Sequence, residues 1–244
     1  FFQAEDGIRA VERSRGLGDV YKRQIKADEK NGQAYAWKAC ALGQGLFRGY
    51  IEEDFNVVWK QAEDNLKKAR ELNENDFEVH RLMSEVTLAM KDFRAAQRHS
   101  KLAYDMVPND PRVLSVYGDV CVRTGKVDEG VDALKLALDL DPIPQGKTNA
   151  DPRHAGLLFA YYMSRDKDGC LEQIGHLDEI DVRSWLITTK ICSDEEHDYE
   201  NLDWFKEGKK LFADKDWEKV VPDFRLNNDS ASEALIEFGK GLFK

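Results

Sequence analysis

Apolar residues between Phe77 and Asp110 recur at helical spacing. Val79, Leu82, Met83, Val86 and Met90 share one face, and Asp92 and Phe93 then open a second run carrying Ala96, Leu102 and Ala103. The spacing predicts two antiparallel helices joined by a short turn. The pattern then repeats: Ala69, Ala103 and Ala137 stand 34 residues apart, as do Leu72, Met106 and Leu140, and as do Pro108 and Pro142. A fixed period of this length marks a stack of helix pairs, none of which buries its apolar face alone. Ala96 and Ala103 fall where the second helix must come close to its partner, and a larger side chain there would push the pair apart. Pro108 and Pro142 end each second helix, because proline lacks an amide hydrogen and biases its predecessor away from helix.

The next unit, Pro111 to Leu140, carries Tyr117-Gly118 in its first helix and Gly125 at its turn. Together with the alanines and prolines, these residues resemble the tetratricopeptide repeat (TPR). The resemblance implies an all-α fold, an α-α superhelix or TPR solenoid of antiparallel helix pairs. Upstream, Ala34–Leu46 and Val57–Leu72 read as another pair, with Trp59, Ala62, Leu66 and Ala69 in phase and extra residues around Gly43–Asn56. Downstream, Pro144–Ala150 is a shorter insertion. It is followed by Pro152–Ser164 with Lys167–Leu177, and by a weaker pair, Val182–Cys192 with Asp198–Ala213; Trp204, Gly208 and Trp217 also allow a repeat that begins later. Ser230 and Glu233 form a capping box that opens a last helix to Phe243. The expected organisation is an array over residues 25–228 of about five pairs, closed by a capping helix at 229–244.

Residues 1–24 stand outside this phase. The string FFQAEDGIRAVERSRGLGDVYKRQ resembles a stray sequence found at the ends of conceptual translations, and it reads as an artefactual or disordered segment. The repeat phase resumes at Ile25 near the end of a second helix, so the first repeat is expected to be truncated. A truncated repeat exposes an apolar helix face, which predicts self-association through that end.

Charge narrows the partners. A formal net charge of -10 disfavours nucleic acid and anionic membrane surfaces, both of which need clustered Lys and Arg. No apolar stretch reaches membrane-spanning length and no secretory signal pattern stands at the amino terminus, so a cytoplasmic location is expected. Cys40, Cys121, Cys170 and Cys192 form no ligand pattern and read as small core residues in a reducing compartment. The five histidines are scattered without a metal spacing. The acidic run Asp194–Glu196 with Asp198 lacks the alternation of a calcium loop and reads as a solvated loop and helix start. Walker, nucleophile-elbow and dinucleotide motifs are all missing. The expectation is therefore no catalytic residue, no cofactor and no metal.

Binding is the physical expectation, since stacked helix pairs line a groove with their first helices. By resemblance to the repeat, groove positions hold Glu78, Arg81, Glu85 and Leu88 in one unit and Arg112, Ser115, Asp119, Val122 and Arg123 in the next. The expected ligand is a protein or peptide. Repeats that clamp the carboxyl terminus of heat-shock chaperones use Lys and Asn, whereas Glu85 and Asp119 stand at the Asn positions here, which disfavours that ligand. The first insertion adds Phe47, Tyr50 and Phe55 as candidate aromatic contacts, although packing of the longer first pair explains them too. The stretches NGQAYAWKACALGQG, ELNENDFEVHRLMSEV, NDPRVLSVYGD, PRHAGLLFAYYMSRDKDGCLEQI and ALIEFGKGLFK resemble the carboxyl-terminal repeats of bacterial class III adenylyl cyclases. Some relatives carry a winged-helix domain in place of the cyclase. That resemblance implies a regulatory scaffold, and none of the cyclase's catalytic residues maps onto this chain.

Overall fold

The computed structural model describes residues 19–47, 51, 53–144 and 147–243, and every regular element among them is helical. They fall into two compact units, parted between Met90 and Lys91.

The first unit holds α1 (residues 19–27), α2 (Gly32–Phe47), α3 (Phe55–Leu72) and α4 (Phe77–Ala89). Helix α1 therefore includes residues 19–24, which lie in the segment that sequence reading set apart, and Tyr21 stacks on Trp37 at 6.2 Å. Helix α2 packs on both α3 and α4. Their contact is lined with small residues, Ala36, Ala39, Ala62 and Ala69, all fully buried beside Leu66, Val79 and Leu82. Asp54 and Asp76 cap α3 and α4 by accepting the amides two and three residues on. The first pair is expanded in helix and in connection: α2 and α3 run 16 and 18 residues, against 13 and 14 for α6 and α7 below, and seven residues separate Phe47 from Phe55 where three separate Arg123 from Val127.

The second unit runs α5 (Phe93–Met106), α6 (Pro111–Arg123), α7 (Val127–Leu140), α8 (Asp151–Met163), α9 (Lys167–Ile174), α10 (Val182–Asp194), α11 (Asp203–Leu211), α12 (Trp217–Val220), a 3-10 turn (Val221–Phe224) and α13 (Asp229–Gly241). Successive helices pair α6 with α7, α8 with α9 and α10 with α11. The first helices of these pairs also touch, α6 against α8 and α8 against α10. The 34-residue period appears in the backbone of both units. Asn73, Val107 and Asp141 each end a second helix by donating to the carbonyls of Ala69, Ala103 and Ala137, at 2.9, 3.1 and 3.1 Å. Each first helix of the second unit ends on a left-handed residue two positions on, at Gly125, Arg165 and Glu196. There the following amide closes back on the carbonyl five residues earlier, as from Lys126 to Cys121. All four cysteines are buried thiols, and burial pushes Cys40 up to about 12.

Three sequence expectations differ in detail. The last helix is capped by Asn228, whose side chain accepts from Ser230 and Ala231, so the Ser230–Glu233 box is displaced by two residues. Asparagine caps as well as serine, and the register is fixed by Leu235 and Gly239, which are buried. The acidic run marks a helix end: α10 reaches Asp194, Glu195 is its C-cap and Glu196 is left-handed. Acids are unfavourable at that end, and Lys190 and Lys167 pair with Asp194 and Glu195. Finally, residues 217–224 form the short α12 and the 3-10 turn, which no hydrophobic period announced.

Candidate ligand-binding face

In the first unit the site is built on Arg81. Arg81 is 5% exposed, and its guanidinium lies between two carboxylates of its own helix. Nε and Nη2 donate to Glu78 at 3.0 and 2.9 Å, and Nη1 donates to Glu85 at 2.7 Å. Trp37 of α2 presents its ring 5.3 Å from the guanidinium carbon. A buried charge needs this much compensation. Burial alone would lower the arginine, but the two glutamates outweigh it and hold it above its usual range. Of the expected groove residues here, Glu85 keeps a half-exposed carboxylate, while Leu88 is buried in the core at 4%.

The second unit carries the more informative face, on α6, α8 and α10. Arg112 and Asp119 are about one-third exposed; Arg112 donates to its own cap Asp110 at 2.7 Å. Ser115 donates to the carbonyl of Pro111 and accepts from the buried Arg153, which also reaches Asp141. Val122 is fully buried. Arg123 is 5% exposed: Nε donates to Asp119 at 2.9 Å, and the guanidinium sits 4.4 Å over the ring of Phe159 on α8. Its Nη1 donates to the main-chain carbonyls of Phe224 and Arg225, the latter at 2.9 Å. Arg183, at the start of α10, lies 5.3 Å over the same Phe159 ring, and burial holds it below its usual range despite Asp181.

The structure thus brings Asp119, Val122 and Arg123 together, as their helical spacing predicts, and adds Phe159, Arg183 and the 221–226 segment. A sequence signal for Arg183 existed. It follows its capping acid by two residues in Asp181-Val-Arg183, as Arg112 follows Asp110. The carbonyls of Phe224 and Arg225 carried none, since they lie about a hundred residues away in sequence. Among the aromatic insertion contacts, Phe55 opens α3 and stacks on Trp59 at 5.9 Å. Tyr50 and the side chain of Phe47 lie outside the described residues. No group of His, Cys, Asp and Glu suited to hold a metal ion occurs among the described residues, and none of the described helices is long and apolar enough to cross a membrane.

Repeated helix pairs, small residues at close approaches and first helices standing side by side define an all-α, TPR-like fold among the described residues. The solved structure described as the functional characterization of Pseudomonas aeruginosa pilF is similar to it, with a TM-score of 0.60 at 14% identity, covering 87% of this chain and 90% of that one. That likeness is one of fold. No protein-family model matches the chain, and no curated protein does.

Proposed function

We propose that this chain is a non-catalytic scaffold that binds a protein or peptide on the first-helix face of its second unit. The observation that carries the reading is Arg123, a buried cation on that face whose guanidinium donates to main-chain carbonyls of an irregular segment. Arginine aimed at backbone oxygens, beside an aromatic ring and a short acidic partner, is the chemistry that holds an extended peptide in a helical groove. Arg112 and Asp119 supply the solvent-facing polar contacts. The test is a peptide array probed with the purified chain: binding that falls in the Arg112→Ala and Asp119→Ala variants supports the face, and binding indifferent to both removes it.

The cellular setting follows from the sequence resemblance. We infer the regulatory repeat region of a bacterial adenylyl-cyclase-type signalling protein, acting in the cytoplasm. The alternatives are the same region of a winged-helix transcription regulator and a free-standing adaptor. Reading the genomic DNA upstream of Ile25 separates them: a cyclase domain, a winged helix or a nearby start codon each selects one. The first unit is the proposed route to self-association, through exposed Val20, Phe55 and Val57. Light scattering at high concentration that returns only monomer contradicts that route.

A further inference from the structure

The first-helix face of the second unit is already occupied by the chain itself. Phe224 and Leu226 are 2% and 5% exposed and belong to the same buried cluster as Val122 and Phe159. Between them Arg225 adopts φ 53 and ψ 46, a left-handed conformation that costs a non-glycine residue energy. The segment is a 3-10 turn and a kink. It is anchored by three buried apolar side chains, Val221, Phe224 and Leu226, and the arginine clamp on its main chain is indifferent to side-chain identity. Those are the properties of a bound peptide.

We propose that residues 221–226 are a built-in ligand that keeps this face closed. The partner is then an extended peptide presenting a large aromatic and an aliphatic side chain two positions apart. It replaces Phe224 and Leu226 and takes over the carbonyl bonds of Arg123. The proposal rests on the peptide-binding reading above and adds its ligand and its regulation. A competitor in trans has two advantages over the built-in segment: its backbone need not be kinked as at Arg225, and its two anchors can be better matched. A face occupied in cis binds a trans peptide more weakly by the fraction of time it stands open.

The experiment uses the full chain and a fluorescent peptide of the sequence Trp217–Asn228. Fluorescence anisotropy is measured with wild type, with the Phe224→Ala/Leu226→Ala double variant, and with that variant carrying Arg123→Met. The expected result is binding at least about tenfold tighter to the double variant than to wild type, lost again when Arg123 is replaced. It is also lost when the peptide's own Phe and Leu are alanine. A double variant that keeps its far-UV circular dichroism and gains no affinity overturns the proposal. If that variant unfolds, hydrogen exchange on wild type decides. Amides of 221–226 exchanging at least about tenfold faster than those of α6 support a segment that releases by itself, and equal protection overturns it. Array peptides that bind wild type and double variant equally leave the scaffold reading standing while removing the built-in ligand.

Discussion

The α6–α7 hairpin and the region from α10 to α13 both depend on glycine, but for different neighbours. In the hairpin the demand is reciprocal and backbone to backbone. A Cβ on Gly118 would stand 2.9 Å from the carbonyl of Gly130, and one on Gly130 would stand 2.8 Å from the carbonyl of Gly118. In the later region the glycines make room for indoles: a Cβ on Gly208 would fall 2.1 Å from Trp185, and one on Gly239 would fall 2.7 Å from Trp217. Trp185 is fully buried, with Phe205, Phe212, Trp217 and Phe243 around it at centroid distances of 5.5–6.3 Å. One region is held together by closeness of helices, the other by aromatic volume.

The largest expected effect strikes the aromatic region. Trp185→Ala removes the centre of the cluster together with the bond its Nε1 donates to the Phe205 carbonyl, so a loss of about 3–5 kcal/mol is expected in chemical denaturation. A loss well below that would mean the cluster repacks and the contrast with the hairpin is overdrawn. Gly118→Ala and Gly130→Ala come next, at about 1–3 kcal/mol each, because the helices must part to admit a methyl group. Their losses should fall short of additive in the double variant, since parting the helices once relieves both contacts.

The hairpin was legible in advance and the aromatic region was not, for the same reason. A close approach between two backbones tolerates only Gly or Ala at fixed offsets, so Ala96, Ala103 and Gly118 declare themselves by spacing, and Gly125 declares itself as the left-handed residue of the turn. Packing around an indole is set by shape in three dimensions. Trp204, Gly208 and Trp217 could be read in more than one register from sequence, and the short helix from Trp217 has no period at all. The face was legible in part. Asp119 and Arg123 are one helical turn apart and could be placed together from sequence, whereas the segment that fills the face could not.

Smaller effects sharpen the comparison at the helix ends. Burial alone would raise the Asp110 carboxyl, but the bonds from Arg112 and from the capped amides hold it below the ordinary carboxylate range. A group held low when folded stabilises above its unfolded pKa and ceases to do so as pH falls through the folded value. The melting-temperature advantage of wild type over Asp110→Asn should therefore be full at neutral pH, begin to fall near the unfolded carboxylate pKa of about 4, and vanish only as pH drops through the lowered folded value. Asn228, the neutral cap of α13, supplies no such acid dependence, so Asn228→Ser should melt in parallel with wild type across the same range. Smallest is a gain: Arg165 occupies the left-handed position that Gly125 fills in the hairpin, at φ 59. Arg165→Gly is expected to stabilise by about 0.5–1 kcal/mol in thermal or denaturant melts, and a loss there would show that the Arg165 side chain does more than bridge the turn.

The central claim is that the face of α6, α8 and α10 is where this chain takes its ligand. Hydrogen exchange of the full chain, with and without the tightest array peptide, tests it most directly. The account predicts added protection confined to α6, α8 and α10, with faster exchange in residues 221–226 as they are displaced. Protection on α5, α7 and α9 instead, with the 221–226 segment unchanged, would contradict it.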